Sequence, residues 1–465
     1  MSGTSAADST AYNLRYVWGI SLVAALGGLM FGYDWVVISG AEPFYKRFFE
    51  LSTAAQEGWA MASALVGCLL GAVLSGGLSD RFGRKRLLIL SAFIFVVSSI
   101  GTALAGSFVS FNVWRMAGGI AIGLASNLSP MYIAEVAPAA VRGRLVSMNQ
   151  FTIVIGILLA QAVNYGIASL GAGDGSDAWN VASGWRWMFG VTAAPASLFF
   201  ALMFLVPESP RWLVKNGQPG AGRAVLARIG GQAFADRELE SIQATLVGEI
   251  ERVDFRELLQ PRMFAILAMG VTLAVLQQWC GINVIFYYAA SLFREAGYNV
   301  TDALLNIVII GAVNLLFTVL AVWSVDRVGR RILMLIGFAG LPLIYALIGA
   351  TFAFSAGKGG IYLLVLTLAA IGCYALTLAP VTWVVLSEIF PNRIRGAAMS
   401  VSVVSLWTAC FILTFTFPLL RETLGTAWTF WLYAAICVAG WFYTYSRLPE
   451  TKGKTLEQIE RELVA

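Results

Sequence analysis

The feature that most constrains the fold is a series of apolar runs that are long enough to cross a lipid bilayer. One run extends from Met263 to Leu292 and has no charged residue between Arg262 and Arg294. A helix of about 20 apolar residues spans the hydrocarbon core, where every backbone polar group needs an internal partner. Only 12% of the 465 residues are charged, against about 25% in an ordinary soluble domain. The sequence therefore predicts an all-α polytopic membrane protein.

The apolar runs predict twelve transmembrane helices in two groups of six. Their predicted spans are 17–38, 57–78, 87–106, 110–133, 146–169, 187–206, 263–292, 303–325, 332–355, 361–387, 398–420 and 428–446. All five cysteines fall inside these spans, which favours small core residues over disulfides or metal ligands. Because the chain contains no histidine, a proton-handling group is expected to be a carboxylate, with Lys, Tyr and Cys less favoured.

Basic residues indicate how these helices are oriented. Arg and Lys are concentrated in the loops after even-numbered predicted helices, whereas the loop at 171–179 carries only acidic charges. The positive-inside rule then places both termini in the cytoplasm, and the expected location is the inner (plasma) membrane. Residues 1–206 and 263–448 are predicted to form two bundles. The linker 207–262 is predicted to form short amphipathic helices on the cytoplasmic side, followed at the far end by a tail at 449–465.

Charged motifs at one end of the predicted helices repeat between the two halves. The segment DRFGRK at 80–85 recurs as DRVGRR at 326–331, and PES at 207–209 recurs as PET at 449–451. The Glu and Arg at 135 and 142 recur at 388 and 395. Three matches at nearly one offset indicate two six-helix units related by an axis along the membrane normal, which is a transporter plan.

These repeated charges are predicted to form a cytoplasmic gate, in which pairs across the halves hold that side closed. The alternative is that they set the topology and cap helix ends. Single exposed ion pairs contribute little, so only a network would bias a conformational equilibrium. The predicted gate residues are Asp80, Arg81, Arg84, Glu135, Arg142, Glu208, Asp326, Arg330, Glu388, Arg395 and Glu450.

Polar side chains interrupt the seventh predicted helix at QQWCGINVIFYY, residues 277–288. At 3.6 residues per turn, Gln277, Gln278, Asn283 and Tyr287 lie on one broad face, and Tyr288 is adjacent. Amides present donors and acceptors together, which suits neutral hydroxyl groups better than a metal or an anion. Gly281 is a point where the helix can bend. This face is predicted to meet a small polar solute; the alternative is that the amides join helices.

Two charges lie deep in apolar helices. Asp34 is the only acid in the first predicted helix, and Arg115 is the only charge in the fourth. A rise of about 1.5 Å per residue places both at similar depths, so the two side chains are able to meet. Charges in the membrane mark functional sites unless they form a static pair, which is the alternative here.

Several motifs carry a family resemblance over nearly the whole chain. They are GGLMFGYDWVVISG (27–40), the two DRxGR loops, GLASNLSPMYIAEVAPAAVRGRLVSMNQ (123–150), PESPRWL (207–213), the 277–288 segment, LSEIFPNRIRG (386–396) and PETKGKTLE (449–457). In order and spacing they resemble the sugar porter family of the major facilitator superfamily. Within that family the chain resembles bacterial D-xylose–proton symporters more closely than glucose facilitators. The resemblance implies the major facilitator fold, with two six-helix bundles.

The same resemblance implies that a sugar is held between the halves near the middle of the membrane. The matching positions are Gln150, Gln277, Gln278, Asn283, Asn314, Trp383 and Trp407. Amides bond hydroxyls, and an indole offers an apolar face to ring C–H groups. Helix packing is the alternative for Gln150, and core packing is the alternative for the tryptophans. Ile157, Leu406 and Cys410 stand where relatives often carry amides, so the sugar remains open.

The resemblance further implies that Asp34 couples transport to protons. If Arg115 separates from Asp34 in one conformation, protonation is favoured there, which links proton binding to the movement of the halves. The expected function is import of a neutral monosaccharide, D-xylose or D-glucose, by proton symport. An uncoupled uniporter and a transporter-like sugar sensor are the alternatives. The sequence predicts no enzyme activity, cofactor, metal site or nucleic-acid partner, and it favours a monomer in the lipid bilayer.

Overall fold

The computed structural model describes residues 12–171, 177–248, 258, 260–354, 359–391, 394–454 and 458–459. In that part of the chain the regular structure is helical. The α-helices are α1 (Leu14–Phe48), α2 (Ala54–Phe82), α3 (Arg84–Ala103), α4 (Phe108–Val136), α5 (Ala139–Leu170), α6 (Trp185–Gly190), α7 (Ala193–Met203), α8 (Pro210–Lys215), α9 (Pro219–Gly248), α10 (Pro261–Trp279), α11 (Ile282–Glu295), α12 (Val300–Val328), α13 (Arg330–Phe354), α14 (Gly360–Leu376), α15 (Leu378–Ile389), α16 (Arg395–Leu424) and α17 (Thr426–Arg447). A π-helical turn at Asn180–Gly184 leads into α6.

The predicted membrane spans correspond to these helices. The first five are α1 to α5, and the sixth is the π turn with α6 and α7. Among the described residues, 11 spans are long and apolar enough to cross a membrane, and α17 is the twelfth predicted span. Helix α17 is less apolar than those 11 spans because it is rich in Trp and Tyr, residues that favour the membrane interfaces. The all-α polytopic fold is therefore confirmed.

Two predicted spans are each divided into a pair of helices. The seventh is α10 and α11, which are separated at Gly281, where φ is +87°. This left-handed conformation is readily adopted by glycine. The tenth is α14 and α15, which are separated at Thr377, three residues before Pro380. Because proline has no N–H for the Leu376 carbonyl, the helical ladder is weakened at that point.

Small residues allow the helices of a half to pack closely. A β-carbon at Gly67 would lie 2.0 Å from the Met116 carbonyl oxygen, and one at Gly119 would lie 1.9 Å from the Ala64 oxygen. Such close approach lets backbones contact each other where the hydrophobic effect between helices is weak. Helices α2 and α4 therefore cross in backbone contact within the first half. Contacts between the halves join α2 to α16, α5 to α12 and α1 to α11.

The linker helices pack beneath the first half. The Trp212 indole of α8 donates to the Asp80 carbonyl at 2.9 Å, and the Tyr132 hydroxyl donates to the Pro207 carbonyl at 2.8 Å. Helix α9 is longer than predicted and is interrupted at Gly230 and Gly231. Its Ile229 carbonyl accepts from the Asn13 N–H at 2.8 Å, which fixes the start of α1. We call the side that carries Asn13 and the linker the terminal side.

Candidate functional site

A charge pair lies in the membrane-spanning part of the first half. Arg115 Nη1 of α4 donates to Asp34 Oδ1 of α1 at 3.0 Å, and its Nη2 donates to the Asp34 carbonyl at 3.3 Å. Both residues are buried, with exposed fractions of 4% for Asp34 and 2% for Arg115. The contact expected from their depths is therefore present, although its role in proton coupling stays a prediction.

One oxygen of this carboxylate has no partner within the described protein. Asp34 Oδ2 and Arg115 Nε are buried without a hydrogen bond. A β-carbon at Gly118 would lie 3.3 Å from Oδ2, so the absence of a side chain there keeps space beside that oxygen. The arginine lies over the Phe189 ring, 5.3 Å from its centroid. A buried carboxylate oxygen without a partner is costly, so Oδ2 is the open hydrogen-bonding position of this pair.

A chain of amides lies in the second half at the break between α10 and α11. The Asn283 amide donates to Gln278 Oε1, and Gln278 Nε2 donates to Gln277 Oε1 at 2.6 Å. Gln277 in turn donates to the hydroxyl of Tyr374 on α14. The left-handed Gly281 brings the end of α10 and the start of α11 together, so that residues five apart share one network.

These amides retain capacity for a ligand. Gln277 and Gln278 each donate one bond through Nε2 in this network, and an amide nitrogen carries two N–H groups. All three amides are buried, and Asn283 also lies 3.5 Å from the Cys410 sulfur of α16. The arrangement can therefore bind several neutral hydroxyls. Tyr374 was not among the predicted residues; the signal available was a tyrosine six residues before Pro380 in the tenth span.

Aromatic residues of α1 in the first half contact aromatic residues of α11 and α16 in the second half. The Trp35 ring lies 5.4 Å from the ring of Tyr287 and 5.5 Å from that of Phe286. Phe31 lies 6.0 Å from Trp407 of α16. Asp34 is next to Trp35 in sequence, so the same turn of α1 contacts both the charge pair and the amide half. Phe31 and Trp35 were not predicted, because the sequence does not show which face of α1 meets the second half.

The other predicted sugar-binding residues have varied surroundings. Asn314 of α12 is buried, whereas Gln150 is exposed and Trp383 has an exposed fraction of 40%. The structure therefore does not bring Gln150 and Trp383 into the buried network. The Tyr288 hydroxyl donates to the Thr414 carbonyl at 2.7 Å, and its ring lies 4.7 Å from that of Phe417. Tyr288 thus joins α11 to α16 in this conformation and does not face the amides.

The repeated charges on the terminal side pair within each half. Arg84 Nη2 donates to Glu135 Oε1 at 3.0 Å, and its Nη1 donates to Asp80 Oδ1 at 3.3 Å. Arg330 Nη2 donates to Glu388 Oε1 at 3.1 Å in the second half. The expected pairs across the halves are not among these contacts, because each arginine starts a helix that packs beside the acidic helix of its own half.

The remaining gate residues mainly cap helix ends. Glu208 accepts from the Arg84 N–H at the start of α3, and Glu450 accepts from the Arg330 N–H at the start of α13, both at 3.0 Å. A carboxylate there complements the positive end of the helix dipole. Arg142 and Arg395 donate to the Ala137 and Phe390 carbonyls, and the Arg81 guanidinium lies 5.3 Å from the Phe82 ring. The Asp326 side chain lies outside the described atoms.

Comparison with known proteins places this arrangement in a family. The family described as "Sugar (and other) transporter" matches residues 20–463. The chain belongs to the sugar transporter family. The resemblance seen in the motifs of the sequence is therefore confirmed.

Several named members of the sugar transporter family are similar to this chain over almost its full length. The D-xylose-proton symporter of Escherichia coli K12 is 40% identical, with 97% of this chain and 96% of the relative covered. The arabinose-proton symporter of Bacillus subtilis is 37% identical, with the same shares covered. The glucose transport protein of Synechocystis is 39% identical, with 99% of this chain and 100% of the relative covered.

Solved structures of one sugar transporter allow the conformation to be compared. The inward open conformation of the E. coli xylose transporter XylE has a TM-score of 0.84 at 38% identity, covering 96% of this chain and 100% of that chain. XylE bound to 6-bromo-6-deoxy-D-glucose has a TM-score of 0.79 at 39% identity, covering 97% and 100%. By TM-score, the structure of this chain is thus more similar to the inward open form of XylE than to the form bound to the sugar analogue.

Proposed function

We propose that the chain is a secondary active transporter that imports a neutral monosaccharide, D-xylose or D-glucose, together with a proton. The observation that carries the proposal is the buried Asp34–Arg115 pair, which lies on the turn of α1 that contacts the amide half. The named proton symporters among its relatives support it. The orientation predicted from the basic loops makes the terminal side cytoplasmic, so that both termini lie in the cytoplasm. The proposed location is the inner membrane of the cell, and the proposed oligomeric state is a monomer.

The sugar is proposed to bind at the amide chain. Gln277, Gln278 and Asn283 would bond its hydroxyls, and Trp407 and Tyr287 would cover its apolar ring faces. Asn314 is a buried amide on the neighbouring helix and is proposed to contribute from the side. Gln150 and Trp383 are exposed here, so their proposed contacts belong to a conformation in which the halves have moved closer on the terminal side.

Proton coupling is proposed to depend on the free oxygen of Asp34. In the present conformation Oδ1 is bonded to Arg115 and Oδ2 is unpartnered. A proton on Oδ2 neutralises the acid, weakens its attraction to Arg115 and lets α1 and α4 shift relative to each other. Because α1 also contacts the sugar site through Trp35 and Phe31, occupancy of the two sites would bias the same movement.

The terminal-side charges are proposed to have two roles. Within each half the Arg84 and Arg330 clusters hold the helix ends together, so that the half moves as one body. When the terminal side closes, the same charges would come together across the halves and form the predicted cytoplasmic gate. A network of partly exposed pairs can shift such an equilibrium without locking it. Residues 1–206 and 263–448 would then be the moving bundles, joined by the linker at 207–262.

The experiment that tests the proposal is sugar-induced alkalinisation. Cells that express the protein are placed in weak buffer, D-xylose and then D-glucose are added, and the external pH is recorded. A sugar-dependent rise in pH, absent from cells without the protein, supports symport and identifies the substrate. Sugar entry without a pH change would favour an uncoupled uniporter. Binding to the purified protein with no entry would favour a sensor.

A further inference from the structure

A buried acid lies on the side of the membrane opposite the termini. Glu57 is in the first turn of α2, and its side chain has an exposed fraction of 6%. Arg421 Nη2 of α16 donates to Glu57 Oε1 at 2.9 Å, and the Lys46 ammonium of α1 donates to Glu57 Oε2. Both carboxylate oxygens therefore have a cationic partner. None of these residues belongs to the sugar or proton sites described above.

The two cations come from different halves of the molecule. Lys46 and Glu57 belong to the first half, whereas Arg421 belongs to the second. If the halves separate on this side, Arg421 must leave Glu57, but Lys46 stays beside it. The carboxylate therefore keeps a counter-ion in either conformation, which avoids the large cost of an unpaired buried charge. A bond to Arg421 is available only while this side is closed.

The surroundings of the pair place it where α2 and α16 meet. A β-carbon at Gly58, the next residue, would lie 2.3 Å from the Phe415 carbonyl oxygen. Trp59 lies 6.3 Å from Phe411, also on α16. Arg421 is held in its own half by a bond from Nη1 to the Ser291 hydroxyl at 3.3 Å. The bond to Ser291 thus holds the Arg421 guanidinium in a position from which it reaches Glu57 of the other half.

A cavity beside the pair allows it to open. Its volume is about 450 Å³, and its lining includes Lys46, Arg421, Ser291, Arg294 and Glu42. A space of this size with charged side chains in its lining has room for several water molecules, so the separated charges can be solvated. An ion pair next to water is weaker than a fully dry one and suits a contact that must break in every cycle.

We infer that Glu57 and Arg421 form an outer latch, which holds the outer side closed and releases it when the halves rock apart. The inference rests on the proposed alternating-access function, and it adds residues that set the balance between the conformations. Lys46 is the partner in the same half that stays beside Glu57 after release. Loss of the latch is expected to raise the population of the outward-open form about 5- to 30-fold, the range that a change of 1 to 2 kcal/mol produces.

The test is a distance measurement by pulsed electron paramagnetic resonance. Spin labels at Ala55→Cys on α2 and Thr423→Cys on α16 report the separation of the halves on the outer side, since both positions lie near the outer ends of their helices. The full-length protein is measured in detergent without sugar, with the unsubstituted protein controlling for labelling of native cysteines. Arg421→Gln and Glu57→Gln are each expected to increase the long-distance population. The double variant is expected to match either single variant, because both remove the same interaction.

Two matched controls separate a latch from general loss of charge. Lys46→Gln removes a cation from the same carboxylate but leaves the pair across the halves, so its distances should stay close to those of the parent. Arg47→Gln removes a cation of the same cavity that pairs with Asp177 at 3.8 Å within the first half, and it should also have no effect.

Unchanged distances in folded Arg421→Gln and Glu57→Gln, or additive shifts in the double variant, would overturn the latch. Arg421→Lys keeps the charge, and it should fall between the parent and Arg421→Gln. Folding is checked by size-exclusion profile. Because the distances are recorded without sugar, a protein that fails the alkalinisation test can still confirm or contradict the latch.

Discussion

The two halves of the molecule are alike on the terminal side and differ inside the membrane. On the terminal side, the Glu208 carboxylate accepts from the first N–H of α3, as Glu450 does at α13. Arg84 bonds Glu135 in one half, and Arg330 bonds its counterpart Glu388 in the other. The repeated sequence motifs thus form the same contacts in both halves, and we call this repeated set of helix-end contacts the frame.

Inside the membrane the corresponding helices diverge. The first and fourth spans of the first half are the unbroken helices α1 and α4, with 35 and 29 residues. The corresponding spans of the second half are divided at Gly281 and at Thr377. Unbroken helices carry the Asp34–Arg115 pair, whereas the broken ones carry the amide chain. One frame therefore supports two kinds of chemistry, with the proposed proton site in one half and the proposed sugar site in the other.

The largest expected effect tests the assignment of the charge pair to the proton. Asp34→Asn removes the proton-binding group and keeps a side chain of the same shape that can still accept from Arg115. Concentrative uptake of sugar is expected to fall to the level of cells without the protein. Counterflow exchange of labelled sugar, which needs no net proton movement, is expected to continue.

A second readout guards against a folding defect in Asp34→Asn. Sugar binding to the purified variant should stay within about threefold of the parent, since the amides lie in the other half. Retained accumulation against a gradient would show that the first half does not hold the coupling group.

How much of the fold follows from sequence differs between the halves as well. Continuous apolar runs predict α1 to α5 directly, because length and hydropathy suffice for an unbroken span. The bend at Gly281 is also predictable, since glycine permits a left-handed residue. The break at Thr377 is not, because Pro43 and Pro130 lie inside α1 and α4, and both of those helices continue through the proline. Whether a proline divides a helix depends on tertiary packing.

The site is predictable in part for similar physical reasons. Depth in the bilayer is a one-dimensional quantity, so the sequence correctly predicts that Asp34 can meet Arg115. The direction in which a side chain faces is harder to predict from the sequence. The neighbouring residues Tyr287 and Tyr288 show this, since Tyr288 contacts Thr414 and Tyr287 contacts Trp35. The sequence also cannot tell pairing within a half from pairing across halves, because the repeat places the same charges in both.

The next largest effect tests the assignment of the amides to the sugar. Gln278→Ala removes the central link of the amide chain and is expected to weaken sugar binding about 10- to 100-fold, because it leaves hydroxyls and neighbouring amides unpaired. Tyr288→Phe is the matched control, since its hydroxyl is used on the Thr414 carbonyl. It should change sugar affinity less than about twofold. Isothermal titration with D-xylose and D-glucose measures both, and equal losses would place Tyr288 in the site.

A smaller effect is expected from replacing the glycine at which the seventh span is divided. Gly281→Ala places a β-carbon 2.8 Å from the Tyr433 ring and forces a φ of +87° on a residue with a side chain. The left-handed conformation alone costs about 1 to 2 kcal/mol. We expect a lower melting temperature and slower sugar exchange. Gly166→Ala in the unbroken helix α5 meets no atom within 4 Å and should be neutral or slightly stabilising. Equal behaviour of the two variants would mean that the break at Gly281 is not needed.

The smallest effect is expected from a charge pair at the water-exposed surface, which is compared with the Asp34–Arg115 pair in the membrane. Arg223 and Asp236 of α9 form a two-point contact, with Nε to Oδ1 at 2.5 Å and Nη2 to Oδ2 at 3.1 Å. The hydrogen bond from Arg223, and then its charge, lower the pKa of Asp236. A lowered carboxyl pKa contributes stability above the unfolded value, which is lost as the pH falls below about 4. Because about half of each side chain is exposed to solvent, salt and water screen that contribution.

Asp236→Asn is therefore expected to leave sugar uptake and the melting temperature at neutral pH unchanged within error. Any small difference from the parent should disappear in high salt and well below pH 4, where Asp236 of the parent is protonated. Thermal unfolding across pH 3 to 7, at low and high salt, measures this. A loss of uptake comparable to that of Asp34→Asn would mean that the linker takes part in the movement of the halves, and that an exposed pair matters as much as a buried one.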